Sequence, residues 1–486
     1  MSFNLGVNMR SEIHVQIKSR LKRRLQPRLA APLIAAAAGL LLWGQDARIV
    51  IQGGSRPNFA IPDFRGDAAA QPFMSTFNRT LWSDIDGAGL FKMVPKTMYP
   101  TIVPQQPSDF KQPPSAAAVP RGRAGQQMSV PKSGGGLWLT DWSSPPASAN
   151  YLAFGYAYVQ NGVFAVRGWL FDVSRETPAA AEIFAKTYPE SNDAAGAEKA
   201  AHEFAADILA KFGGKSLFGS HIYFVSNRTG HKEIWVMDPD GKNQKQLTRF
   251  NSDTVQPSVS PDGTKIAFMS YYRRTPNIYV FSVSPVLDLH FYNQAASVNE
   301  TPSFTPDGKQ IIYASAAGGQ CCRLFTANLD GSGFRPVTTA GFIDVQPQIN
   351  PKNPTQIAFA SGRSGPEQVY RANIDGGDLE RLSDGTGEAA SPAWHPDGHI
   401  LAFSWTRGFA AGAWNIFVMD VASRSPTQLT HGEGKNENPT WAPDGTHLAF
   451  ASTRTGRSQI YTMLADGTQV QALTTAGENL SPSWGK

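Results

Sequence analysis

Apolar and polar positions in the second half of the chain fall into short runs, and one arrangement of runs keeps returning. "QPSVSPDGTKIAF" (Gln256–Phe268), "TPSFTPDGKQIIY" (Thr301–Tyr313), "QPQINPKNPTQIAF" (Gln346–Phe359), "SPAWHPDGHILAF" (Ser391–Phe403) and "NPTWAPDGTHLAF" (Asn438–Phe450) superimpose on one another. Each opens with a run too short for a helix. It breaks at a proline turn, mostly Pro-Asp-Gly with glycine supplying the positive φ, and resumes as an apolar run of strand length. A third run follows, such as "EIWVMD", "NIYVFS" or "NIFVMD". A fourth, very short one ends the unit, such as "QLT", "PVT", "RLS" or "ALT". The turn prolines Pro261, Pro306, Pro351, Pro396 and Pro443 are spaced 45, 45, 45 and 47 residues apart. Four short strands repeated at about this period predict the blades of a β-propeller.

The second-strand run occurs six times, beginning at Ile222, Ile266, Ile311, Ile357, Leu401 and Leu448. The first-strand run also occurs six times, but the last copy, "SPSW" (Ser481–Trp484), stands alone near the end of the chain. "IYFVS" at Ile222 has no first strand before it. The two mismatches cancel if "SPSW" enters the blade that begins at His221–Thr248, which joins the ends of the ring and leaves no open sheet edge. The expectation is a mainly β chain: a six-bladed β-propeller over 218–486, closed by its C-terminal strand and preceded by a small α/β domain. The second unit is degenerate in its fourth strand, placed around Phe291–Ala295.

Residues 55–214 carry a different pattern. "PNFAIPDF" (Pro57–Phe64) reads as a strand and Pro72–Phe91 as a helix stopped at Gly87 or Gly89. Tyr151–Ser174 reads as a hairpin turning at Asn161-Gly162. Asp193–Gly214 has the apolar stripe of an amphipathic helix with a glycine stop. The Pro/Gly/Ser/Ala-rich stretch Tyr99–Trp142 is expected to be an exposed loop or partly disordered.

Composition adds little to the fold but narrows the function. Of 44 Lys+Arg and 39 Asp+Glu, residues 1–46 hold seven basic and two acidic, so the remainder is formally neutral and carries no nucleic-acid footprint. "KSRLKRRLQPR" (Lys18–Arg28) followed by the apolar Leu29–Trp43 has the layout of a secretory signal peptide, assigned to 1–46, or of a retained anchor. No later apolar run has spanning length. The body is expected outside the cytoplasm.

Taken in order, "ARIVIQGG" (Ala47–Gly54), "IPDFRG" with "FNRTLWSDIDGAGLF", and the six repeats resemble the TolB family, the periplasmic propeller proteins of the Tol-Pal system of Gram-negative bacteria. The resemblance covers about 47–486; the Tyr99–Trp142 stretch and the long N-terminus depart from it. It implies a non-enzymatic, monomeric periplasmic protein that binds the peptidoglycan-associated lipoprotein Pal through the propeller. It also implies binding of TolA through a mature N-terminal segment, 47–54, with Arg48, Ile49, Val50 and Ile51 as the contact residues. Outer-membrane integrity and invagination during division are the implied role. The alternative for "RIVI" is a strand of the first domain, and a terminal strand that docks and releases satisfies both readings.

The propeller suggests a site of its own. Every first strand has an acid two to four residues before its proline: Asp253, Glu300, Asp344, Glu388, Glu437 and Glu478. The amides Gln256, Asn299, Gln346, Asn438 and Asn479 accompany them. First strands line a propeller's channel, so these residues are expected as a ring at one mouth, focusing negative potential on a cation or a basic partner surface. The alternative is a set of solvated loop acids. The aspartates of the Pro-Asp-Gly turns are turn formers. No cofactor is expected; carboxylates suit Ca²⁺, but the spacing fixes no ligand set. A hydrolase or lactonase with Ca²⁺ at the mouth is the enzymatic alternative. Against it, the chain has no G-x-S-x-G and no H-E-x-x-H, and its one H-x-x-x-H, His395 to His399, falls on a Pro-Asp-Gly turn. The two cysteines, Cys321 and Cys322, are expected as ordinary thiols or a bridge between neighbours, not as a metal site.

Overall fold

The computed structural model describes residues 56–112, 135–291 and 298–486 apart from 318, 320 and 340. The expected leader 1–46 and the segment 47–54, with Arg48, Ile49, Val50 and Ile51, lie outside the described residues. No helix among the described residues is long and apolar enough to cross a membrane.

In the N-terminal region the long hairpin forms as expected. Tyr151–Gln160 pairs antiparallel with Val163–Asp172 from Tyr151↔Asp172 to Gln160↔Val163. Asn161 and Gly162 hold φ of 52° and 77° at its tip, the two left-handed residues that match strand twist. Glu182–Ser191 and Lys92–Met93 had no clear sequence signal, whereas Asn58–Ala60 lies inside the expected strand Pro57–Phe64. Glu182–Ser191 adds to one side, and Asn58–Ala60 runs parallel beside Tyr151–Gln160 on the other, flanked by Lys92–Met93.

Two helices cover one face of this sheet. Met74–Gly87 buries Met74, Phe77, Leu81 and Ile85. Ala194–Lys211 is N-capped by Asp193, whose Oδ1 accepts from Gly196 N at 2.7 Å, and it buries Ala197, Ala201, Phe204 and Ile208 at helical spacing. The ends of the Tyr99–Trp142 stretch are not an exposed loop. Phe110 and Leu139 are buried and Trp142 is fully so; all three pack on the other face of the sheet against Phe154 and Phe171, with Tyr99 at the edge. Three large apolar side chains outweigh the polar and glycine-rich composition around them, each worth about 1.5–3 kcal/mol on burial. Residues 113–134 lie outside the described residues.

The rest is a six-bladed propeller of four-stranded antiparallel sheets. Blade one combines Asn479–Gly485 with His221–Ser226, Glu233–Met237 and Lys245–Gln246, so the terminal strand closes the ring as expected. Blades two to six span 254–291, 299–336, 344–381, 389–428 and 436–472. The fourth strand of blade two is Val286–Phe291, folded back directly on Asn277–Val283 and therefore earlier than expected. The second strands are apolar on both sides because each lies between two blades. In blade four, Ile357 and Phe359 pack with Ile312 and Ala314 of blade three, while Ala358 faces Phe403 and Trp405 of blade five.

The N-terminal domain rests on blades six and one, at the end of the propeller that carries the turns between first and second strands. His447 Nε2 meets the Gly87 carbonyl at 2.7 Å, Arg56 pairs with Asp466 at 2.9 Å, and the ring of His202 stacks on Phe218. Asn436 pairs with Ser452, at the opposite end of the same sheet from His447. A six-residue strand is about 20 Å long, so the docked domain and the starts of the first strands occupy opposite ends of the propeller.

Candidate functional site

The six first strands superimpose residue by residue, and their register decides what each candidate side chain can do. The strands open at Thr254, Asn299, Asp344, Ala389, Asn436 and Asn479, and all six residues are fully buried. Each of their backbone N–H groups donates to the residue preceding the third strand of the previous blade: Thr254 to Lys232, Asn299 to Pro276, Asp344 to Cys322, Ala389 to Glu367, Asn436 to Trp414 and Asn479 to Ser458, at 2.8–3.0 Å. This repeated bond joins blade to blade around the whole ring.

The first-position side chains turn into their own blades. Asn299, Asp344 and Asn436 accept from Ser315, Ser361 and Ser452 at the end of the second strand. An arginine two residues beyond that serine reaches the same position in three blades. Arg228 bonds Asn479 at 3.0 Å, Arg454 bonds Asn436 at 3.0 Å, and Arg363 pairs with Asp344 at 2.7 Å. Asn299, Asp344 and Asn479 are therefore blade-interior groups, not parts of the mouth.

The third position holds Gln256, Thr301, Gln346, Ser391, Asn438 and Ser481, all with φ between 46° and 56°. Each sits at a β-bulge, where the ladder skips before the proline. The bulge turns these side chains along the channel wall. Thr301 N donates to Gln256 Oε1, Gln346 N to Thr301 Oγ1, Ser391 N to Gln346 Oε1, and Asn438 Nδ2 to Ser391 Oγ, all at 2.7–3.1 Å. Gln256, Gln346 and Asn438 do converge, as a ring of amides and hydroxyls. They line a central cavity of about 490 Å³ that runs to the proline turns.

The six acids do not share one register. Asp253, Glu388 and Glu478 precede their strands, Asp344 takes the first position, and Glu300 and Glu437 the second. Counting back from the proline concealed this, because one residue's shift in a pleated strand reverses the face. The single carboxylate ring is replaced by a lopsided arrangement. Asp253 and Glu478 are exposed, Glu388 is half-buried, and Glu437 stands apart, half-buried beside Lys435. Glu300 and Glu388 share a sector with Glu367, which sequence reasoning missed because it lies before a third strand rather than a first.

Burial pushes the Glu367 carboxyl above its ordinary value, and the charges of Glu388 and Glu300 push the same way. Burial likewise raises Glu300, against a hydrogen bond from Gln256, and raises Glu437 against the charge of Lys435. Among the described residues none of Glu300, Glu367, Glu388 or Glu437 has an ion-pair partner within 4 Å. Three uncompensated carboxylates in one sector make a local negative potential facing solvent, on the end of the propeller away from the docked domain. Among the described residues the mouth acids do not bring three carboxylates within reach of one ion; the one cluster at metal-binding distances is Glu300 with Cys321 and Cys322.

Known proteins agree with this architecture. A family model described as the TolB beta propeller domain matches residues 211–390 and 383–486. The chain is 35% identical over 311 residues to a "Protein TolB homolog" of Chlorobium luteolum, covering 64% of this chain and 69% of the relative. It is 30% identical over 316 residues to the "Tol-Pal system protein TolB" of Bordetella pertussis, covering 61% and 66%, so the alignment spans just under two thirds of that relative. Its fold is similar to that of TolB from Acinetobacter baumannii, with a TM-score of 0.69 at 20% identity, covering 89% of this chain and 97% of the other.

Proposed function

The chain belongs to the TolB β-propeller family, and from that premise we propose that it is a non-enzymatic periplasmic component of a Tol-Pal system. In this reading the acidic mouth binds a Pal-like peptidoglycan-associated lipoprotein. The segment Arg48, Ile49, Val50 and Ile51 engages a TolA-like inner-membrane protein. Holding both partners couples the inner membrane to the outer one, supporting envelope integrity and invagination during division.

The observation that carries the propeller half is the sector of Glu300, Glu367 and Glu388. It presents unpaired carboxylates on the end of the ring that the N-terminal domain leaves uncovered. Burying three unpaired carboxylates among themselves is unfavourable. A partner presenting Lys or Arg relieves that cost and gains directional hydrogen bonds. The names of the relatives, components of a Tol-Pal system rather than of a metabolic reaction, support the same role.

Calorimetric titration of the purified exported protein with the soluble domain of the Pal-like lipoprotein tests this. Binding is expected, weakening as salt is raised and falling at least about tenfold in the Glu367→Lys, Glu388→Lys variant. Binding that survives both substitutions moves the interface elsewhere. No binding by the unaltered protein overturns the reading.

A further inference from the structure

We propose that Cys321 and Cys322, when reduced, form with Glu300 a three-donor site for a thiophilic divalent cation at the acidic mouth. Glu300 lies on the first strand of blade three, and the cysteines stand at the end of the hairpin that leads into its third strand, Arg323–Asn328. Both sulfurs and a Glu300 carboxylate oxygen all lie within 4.8 Å of one another, and Cys322 Sγ is 3.6 Å from Glu300 Oε1. In a tetrahedral site with metal–sulfur bonds of about 2.3 Å and metal–oxygen bonds of about 2.1 Å, donor atoms stand roughly 3.5–4 Å apart. The sulfur–oxygen pair already has that spacing.

Burial divides the work between the two cysteines. Cys321 is exposed and gives the cation a way in, while Cys322 is fully buried and forms a dry wall. Solvent supplies the fourth ligand. The surrounding charge favours a cation. Glu367 and Glu388 lie in the same sector. Two arginines connected to this segment are engaged elsewhere: Arg323, the residue after Cys322, donates to the Ala317 carbonyl and lies over the Phe325 ring, and Arg363 is held by Asp344, whose N–H bonds the Cys322 carbonyl. Two sulfurs among three donors select zinc-like ions over calcium-like ones.

In the structure the two sulfurs are bonded to each other. Two electrons and two protons from a dithiol reductant, which itself becomes a disulfide, convert the bridge to two thiols. The cation then displaces both thiol protons and binds two thiolates and the Glu300 carboxylate. Bridge and metal use the same sulfurs, so the site exists only in the reduced protein. None of this depends on the Pal reading.

The test uses the full exported protein, reduced with a phosphine and kept anaerobic, with Co²⁺ as the probe and Zn²⁺ as competitor. One equivalent of Co²⁺ is expected to bind with thiolate-to-cobalt charge-transfer absorption, and Zn²⁺ should abolish the band. The oxidised protein should lack the band, as should Cys321→Ser, Cys322→Ser. Glu300→Gln should keep the band with at least about tenfold weaker affinity. Reduced protein without the band, or Co²⁺ bound by carboxylates alone, overturns the proposal. So does a Glu300→Gln variant that binds as tightly as the unaltered chain. Should the double serine variant fail to fold, the oxidised and reduced forms of the unaltered protein decide the matter by themselves.

Discussion

His447 ties the two domains together: its Nε2 donates to the carbonyl of Gly87, the last residue of the helix Met74–Gly87, at 2.7 Å, while its Nδ1 lies 2.6 Å from Asp444. A carbonyl only accepts, and the carboxylate accepts too, so both ring nitrogens carry protons and the buried imidazole is a cation. Burial pulls the His447 pKa down, but the Asp444 hydrogen bond and charge and the Gly87 carbonyl outweigh it and hold it above the ordinary histidine value. Burial raises Asp444, and the bonds from His447 and Thr446 more than reverse that.

The pH dependence of docking follows from these directions. A raised histidine pKa gives stabilisation that is complete below the unfolded value of about 6.5 and is lost as pH rises through the folded one. A lowered aspartate pKa gives stabilisation present above about 4 and lost on acidification through the folded value. The interface should be tightest between those limits and loosen as pH climbs through the raised folded value of His447. Hydrogen exchange across Met74–Gly87 reads this directly. His447→Gln should flatten the alkaline slope, and a slope that persists in the variant refutes the assignment. His447→Ala should cost about 3–5 kcal/mol, because it strands Asp444.

The pair Asp344–Arg363 predicts an asymmetric result. Arg363→Ala leaves a fully buried carboxylate without its cation and should cost about 3–5 kcal/mol in chemical denaturation. Asp344→Asn should stay within about 1 kcal/mol, because blades six and one already use an asparagine there beside Arg454 and Arg228. Equal costs for the two substitutions would contradict the role given to Asp344.

Closure of the ring rests on Trp484, whose Nε1 donates to Ser220 Oγ at 3.0 Å and whose ring is buried beside Leu473. Trp484→Ala should cost about 3–5 kcal/mol, and blade one should become the first site of limited proteolysis. Cleavage that still starts in another blade would show that the ring is held closed by other contacts.

The bulged residues make a test of backbone strain. Gln346 holds φ of 55° and accepts from Ser391 N at 2.7 Å. Gln346→Gly removes the hydrogen bond but relieves the backbone, so the net change should be below about 1 kcal/mol. Gln346→Val removes the bond and adds a β-branched side chain at positive φ, and should cost about 2–3 kcal/mol. Thermal melts of the two variants separate the two contributions.

Much of the architecture was legible before any coordinates, for local reasons. Pro-Asp-Gly turns and Asn161-Gly162 are set by φ preferences within four residues, and the 45-residue spacing and the unmatched "SPSW" are matters of counting. The strand Glu182–Ser191 was not legible, since it owes its existence to pairing with Val163–Asp172 along its length. The buried ends of the Tyr99–Trp142 stretch were hidden for a related reason: Phe110 and Trp142 are apolar residues scattered in a polar background with no period.

By itself the sequence determined the number of blades, their closure and the presence of acids near each first strand. Only the tertiary structure decided which way those acids face. A pleated strand reverses sides with every residue, so Asp344 enters the blade to meet Arg363 while Glu300, at the next register position in its own blade, stays near the mouth. It alone brought Glu367 beside Glu388, Cys322 beside Glu300 and His447 beside Gly87, contacts between segments 21, 22 and 360 residues apart along the chain. Spacings of that size carry no local signal, because they are set by how whole blades and domains pack rather than by the conformations of neighbouring residues.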